Sequence, residues 1–339
     1  MPQNSCPRSI EDLIARVRAG ENDAINEIDR QLESPDQPPR VRSVLRSLRA
    51  FCLMQSGRLT DSAAEAFALL TFAQRHQHHD IVAQCHRILA MQSDVLGDQA
   101  ERHRSQRLAF DAAERSGDAL LSCRVAQEFA LSVGETGQYD RAADILQRHS
   151  RPFDWDDSNE LFCGLGLAAN LGWALNMANR SEEALVATKV PPERALVGSF
   201  GAAIRVERWR AQSRLGHPLD LDAIEALLAK SLENGWAMVT TSVHLLLSRQ
   251  HPSDSLAAQT HATLAHNLQG LDLSYWREPI LRRAAECAHA RGEALEAEEL
   301  EREAQDIRDA ALRVHEAQES YGGRSRGRIC VGLAPMSDL

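Results

Sequence analysis

Residues 129 to 146 read FALSVGETGQYDRAADIL, and residues 171 to 185 read LGWALNMANRSEEAL. Each stretch is a pair of amphipathic runs joined at Gly137 or Asn179, residue types that tolerate the left-handed backbone that ends a helix. Outward from these two, the same punctuation recurs. Gly20, Gly57, Gly97, Gly137, Asn179, Gly216, His251 (followed by Pro252) and Gly292 each close one helical run and precede another. Successive turns lie 35 to 42 residues apart, a spacing of the kind that stacked helix hairpins show.

Proline placement points the same way. None occurs between Pro39 and Pro152, and that interval carries apolar faces at helical spacing, as in Ile81, Cys85, Ile88 and Leu89 or Val125, Phe129 and Val133. No alternating strand pattern bounded by hairpin turns is present. Small residues also recur in register. Ala50, Ala90, Ala130, Gly172 and Ala285 lie seven positions before a turn, and Ala142, Ala184 and Ala297 lie five after one. Two helices approach closely only where side chains are small, so these positions predict helix crossings.

On these residues the chain resembles the tetratricopeptide repeat family, in the divergent long-helix form found in bacterial regulatory proteins. The matching segments are the two quoted above and AAECAHARGEALEAEEL at 284 to 300. Leu171-Gly172 fits the family's Leu-Gly pair and Ala184 its alanine. The period here is longer than the family's 34 residues, and the closing proline is mostly missing. The resemblance implies an all-α fold: a right-handed α-solenoid of about seven stacked antiparallel hairpins, ending in a long C-terminal helix. It also implies a concave surface that holds a peptide or partner protein.

Composition bounds the function. Of 339 residues, 43% are hydrophobic and 25% charged, the net charge is -10, and 16 are aromatic. Such a chain folds, and at a mean hydropathy of -0.36 it has no apolar run long enough to span a membrane. The N-terminus lacks an apolar leader region, so the expectation is a cytoplasmic protein without a membrane partner. Only Lys189 and Lys230 are lysines, the other basic residues being arginines. On a net-acidic chain this reflects codon bias better than a nucleic-acid site, and nucleic acid is disfavoured as a partner. The seven cysteines include no CxxC pair, and Cys52, Cys85, Cys123, Cys163 and Cys287 read as small core hydrophobes.

Chemistry-bearing motifs are sparse. No phosphate-binding loop, dinucleotide fingerprint, serine-hydrolase elbow or zinc-protease motif occurs, so no catalytic residue, metal or cofactor is expected. The histidines of HQHHD (76 to 80) read as a solvated turn, and the Arg151–Asp157 loop as one that tucks Phe153 and Trp155 onto its neighbour while Asp157 or Ser158 caps the next helix. The tail GGRSRGR (322 to 328) reads as flexible. In the repeat register, concave positions fall on Gln84, Arg87, Met91, Arg124, Gln127, Leu131, Trp173 and Asn176. Arginines there would hold carboxylates by forked hydrogen bonds, Gln127 and Asn176 would meet peptide amides, and Trp173 would form an apolar floor.

Beyond Gly292, Ala297, Leu300, Ala304, Ile307, Ala311 and Val314 are spaced alternately three and four residues apart. That pattern suits either a coiled-coil seam or a capping helix. The expected organisation is an N-terminal helical cap with a Pro-rich loop (1–39), a repeat domain (40–292), the long helix (293–320) and a tail (321–339). The first functional expectation is a non-enzymatic scaffold binding a protein or peptide through the groove residues Gln84, Arg87, Arg124, Gln127, Trp173 and Asn176. The second, implied by the resemblance, is a sensory signalling module that dimerises through Leu300, Ala304, Ile307, Ala311 and Val314. It would relate to the repeat domains of diguanylate-cyclase-type proteins but lack an output domain, since the residues after the long helix are too few to form one.

Overall fold

The computed structural model describes residues 10–18, 23–190, 198–267 and 274–324. Among these every regular element is an α-helix and none is a strand. In chain order they are α1 (Ile10–Arg18), α2 (Ala24–Leu32), α3 (Pro39–Gln55), α4 (Leu59–Arg75), α5 (His79–Val95), α6 (Gln99–Ser116), α7 (Ala119–Glu135) and α8 (Tyr139–Arg148). There follow α9 (Ser158–Met177), α10 (Ser181–Ala187), α11 (Gly198–Arg214), α12 (Leu221–Glu233), α13 (Ala237–Gln250), α14 (Leu256–Asn267), α15 (Ser274–Arg291) and α16 (Ala294–Arg324). The backbone divides into two compact units, one made of 1–134 with 138–246, the other of 247–339 with 135–137.

Local chemistry explains the helix ends. Gly57, Gly97, Gly137, Asn179, Gly216 and Gly292 all adopt positive φ, between 61° and 80°, as the turn series requires. Gly20 lies outside the described residues. A second set at positive φ, Gln77, Gly117, Gly198 and Gly235, falls about twenty residues after members of the first and separates one hairpin from the next. His251 differs, since its φ is not positive. There Arg283 of α15, only 6% exposed, donates to the carbonyls of Ser248 at 2.6 Å and His251 at 3.2 Å. The guanidinium thus satisfies carbonyls that a left-handed cap satisfies elsewhere. Starts are equally local: Pro39 opens α3, and Asp98, Asp157 and Asp220 accept backbone N–H groups at the starts of α6, α9 and α12.

In the first unit a continuous core runs from α3 through α7, built on Ala50, Ala66, Leu69, Ile81, Cys85, Ile88, Ala109, Ala112 and Val125. The small residues in register are all inside: Ala50, Ala130, Ala142, Ala184 and Ala297 are fully buried, with Ala90 and Ala285 nearly so. A methyl at Gly172 would stand 2.6 Å from the Thr188 methyl and 3.2 Å from Cβ of Glu207, so glycine there permits the close approach of α9 to α11. Helices packed on alanine need few rings, which is how a chain with 16 aromatics fills its core. In the second unit α15 and α16 pack as a hairpin about Gly292, with ion pairs Arg277–Glu303 at 2.6 Å and Arg308–Glu278 at 3.8 Å. None of the helices among the described residues is long and apolar enough to cross a membrane.

Candidate functional site

The groove residues of the sequence register lie on α5, α7 and α9, and their environments divide them into two groups. Gln84, Arg87 and Arg124 are half-buried. Arg87 reaches from α5 to α7, donating from Nε to Glu128 at 2.8 Å and from its other terminus to the second carboxylate oxygen, while Nη1 donates to Gln84 at 2.8 Å. Burial works against its charge, but Glu128 outweighs this and holds the guanidinium above its ordinary pKa. Arg124 is different: its Nη2 meets only the carbonyl and Oδ1 of Asn159 on α9, at 3.5 and 3.3 Å, and its buried Nε has no acceptor. Among the described residues no carboxylate pairs with Arg124.

Gln127, Trp173 and Asn176 are internal, exposed by 9%, 4% and 0%. Gln127 spends its amide on α9, donating to the Cys163 carbonyl at 3.1 Å and accepting from Asn170 at 3.3 Å. The Trp173 indole lies edge-on to Tyr139, ring centres 5.8 Å apart, and covers Gly134. Asn176 donates from Nδ2 to the backbone carbonyl of Glu207 at 2.8 Å and to its carboxylate at 3.0 Å. These amides therefore hold one helix to the next. Sequence periodicity did not reveal that, because a position expected to face a groove is covered when a later helix carries a long side chain to it, here Glu207 of α11.

Other singled-out features also have definite places. The Arg151–Asp157 loop lays Phe153 and Trp155 on α9, 3.0 Å from where a Gly164 methyl would stand, and Asp157 caps α9 through the N–H groups of Asn159 and Glu160 at 2.8 and 2.9 Å. His76 and His78 stand beside Phe72 in the turn before α5, ring centres 4.4 and 6.1 Å from it. Among the described residues no three histidine, cysteine or carboxylate groups converge on a point that would hold a metal. On α16, Ala297 and Ala304 are fully buried within the chain, and Leu300 and Ile307 half-buried. The side chains of Ala311 and Val314 lie outside the described residues.

Two features escaped the sequence reading. An open cleft of about 560 Å³ lies between α2, α3 and α4, lined by Asp29, Leu32, Glu33, Arg42, Arg46, Arg49 and Glu65. Its charges largely neutralise each other, Arg49 with Asp29 at 2.7 Å and Arg46 with Glu65 at 2.5 Å. The second is a pair of cysteines, Cys123 on α7 and Cys163 on α9, whose sulfurs both lie within 3.6 Å of the Gln127 amide nitrogen.

His86 is a titratable group inside the core. It is 8% exposed, Nδ1 has no partner, and burial together with Arg104 pushes its pKa from 6.5 down to about 4. The folded chain thus keeps the ring neutral in a range where the unfolded chain protonates it, so stability is retained above 6.5 and lost as pH falls toward 4. The full loss is about 3 kcal/mol. His86→Leu is expected to flatten the decline of the urea midpoint across that window. An unaltered decline would assign the acid sensitivity to other groups.

In comparison with known proteins, no protein-family model matches the chain, and no curated protein is significantly similar to it.

Proposed function

We propose that this chain is a non-enzymatic scaffold, a right-handed α-solenoid of tetratricopeptide-like hairpins that binds a peptide or protein segment along one face of its first unit. The observation that carries the reading is the half-buried polar row Gln84, Arg87, Glu128 and Arg124, in which Arg124 has no carboxylate among the described residues. A half-buried guanidinium without a carboxylate partner is poised to take a carboxylate or a peptide carbonyl from a ligand through its terminal N–H groups. The repeat reading draws support from bonds that join successive first helices 31 to 41 residues apart. These are Arg40 to Asp80 at 2.9 Å, Arg87 to Glu128 at 2.8 Å and Asn176 to Glu207 at 3.0 Å. Helices joined in this way present their remaining side chains on a common face.

The test compares affinity capture and mass spectrometry with the full chain and with its Arg87→Glu/Arg124→Glu variant as bait. Because Glu at 87 would oppose Glu128, an Arg87→Gln/Arg124→Gln variant and matched urea midpoints accompany it. Partners held by the wild type are expected to fall by about tenfold or more in both variants, the loss of charge-assisted hydrogen bonds in a half-buried site. Retention of every partner by variants that remain folded rejects the groove.

A further inference from the structure

The cysteine pair lies apart from the polar row and rests on its own geometry. Cys123 and Cys163 are each 1% exposed, and both are free thiols. They are 40 residues apart in sequence, so the repeat carries one on α7 beside the other on α9. Gln127 spans them: its Nε2 is 3.6 Å from the sulfur of Cys123 and 3.5 Å from that of Cys163. That amide is held from three sides, by the Cys163 carbonyl, by Asn170, and by the bare backbone of Gly166, where a methyl would stand 2.5 Å from its Oε1. The sulfurs are thus fixed close together by groups that themselves cannot move far.

The surroundings are asymmetric. Cys163 is lowered below the ordinary thiol pKa, first by the neighbouring Cys123 thiol, then, against the effect of burial, by Arg124, Arg151 and Gln127. Cys123 is raised, by that same neighbour and by burial. Cys85, buried as deeply, is pushed up to about 12 because burial outweighs the opposing charge of Arg46. Of these three thiols only Cys163 lies below its ordinary pKa, and thiolate character is one of the two conditions for an oxidisable cysteine, access being the other. Access has one evident cover. The Arg151–Asp157 loop, whose Phe153 and Trp155 rest on Gly164 next to Cys163, bears Arg151 at its start and is otherwise half-buried or exposed.

We propose that Cys123 and Cys163 form a redox-sensitive dithiol that a hydroperoxide converts to an intramolecular disulfide, joining α7 to α9. In the first step the Cys163 thiolate attacks a peroxide oxygen. The O–O bond breaks, Cys163 becomes a sulfenic acid, and the leaving hydroxide (or alkoxide) takes a proton from solvent. In the second, the Cys123 sulfur attacks that of Cys163 as the S–O bond breaks. The departing oxygen leaves as water with the Cys123 proton. An external dithiol reverses the bond by exchange. Gln127, which orients both sulfurs, is a positioning residue.

The experiment treats the reduced, full-length chain at neutral pH with hydrogen peroxide, blocks remaining thiols with iodoacetamide after unfolding, and maps peptides by mass spectrometry. The expected product is the Cys123–Cys163 cross-linked peptide, formed at least about tenfold faster than Cys85 is oxidised and lost on treatment with dithiothreitol. A Cys123→Ser chain is expected to accumulate sulfenic acid at Cys163, trapped by dimedone. The wild-type measurement needs no variant to fold. Cys123 and Cys163 staying unlinked, or linking only in urea, would overturn the proposal. So would oxidation of Cys163 to sulfinic acid while Cys123 remains a thiol.

Discussion

Glu207→Ala is expected to lower unfolding stability by about 3–5 kcal/mol, the scale of a buried ion pair that loses one partner. Glu207 and Arg210 stand one turn apart on α11, their side chains 5% and 4% exposed, and Nη1 of Arg210 donates to both carboxylate oxygens at 2.9 and 3.0 Å. Burial drives each toward its neutral form, raising the carboxyl and lowering the guanidinium, and each opposes that drift in the other. Asn176 adds its amide, and Arg214 donates to the Asn176 carbonyl. Alanine at 207 would leave a guanidinium in the interior with its counter-charge removed. The double variant Glu207→Leu/Arg210→Leu, which removes both charges and keeps apolar volume, is expected to recover most of the loss. Urea unfolding of the two variants decides it: equal losses would show that the single substitution acts by lost packing rather than by an unpaired charge.

Trp173→Ala is expected to cost a similar amount, about 3–5 kcal/mol, as a large ring leaves a cavity. The informative partner is Gly134. A methyl built there would lie 2.4 Å from the Trp173 Cη2 atom and 2.8 Å from Cζ3, and the indole is buried at 4% exposure with Tyr139 against it. Gly134→Ala alone is therefore expected to destabilise by about 1–3 kcal/mol, although alanine is the better helix former by about 1 kcal/mol. In a Trp173→Ala background the clash is gone and the helix preference remains, so the same Gly134→Ala substitution should stabilise. Such a change of sign is read from a double-mutant cycle of urea midpoints. Additive values would mean that the ring and the glycine do not meet.

What was legible in the sequence is what local backbone and steric rules encode. A glycine or asparagine at positive φ announces itself by residue type, so Gly57, Gly97, Gly137, Asn179, Gly216 and Gly292 marked real turns. Alanines at helix crossings did so by spacing. Gln77 takes the same left-handed backbone, φ 56°, with a residue type that gives no warning. The His251 turn is completed by Arg283, 32 residues later. Side-chain partnership was the least legible. Nothing near Asn176 foretells that Glu207 will cover it, and the cysteines read singly as hydrophobes. Their 40-residue separation, close to the spacing of the turns, was the signal available, and it acquires meaning only once α7 and α9 are seen to lie side by side.

The bonds between successive helices have one further property: their reach. Those described above from α3 to α5, α5 to α7, α7 to α9 and α9 to α11 span 31 to 43 residues. Closing loops of that size costs little entropy compared with the long closures that slow sheet proteins. The proposed repeat stack would assemble by short-range steps from any starting point. In it a weakened link would loosen its immediate neighbours before it is felt farther along.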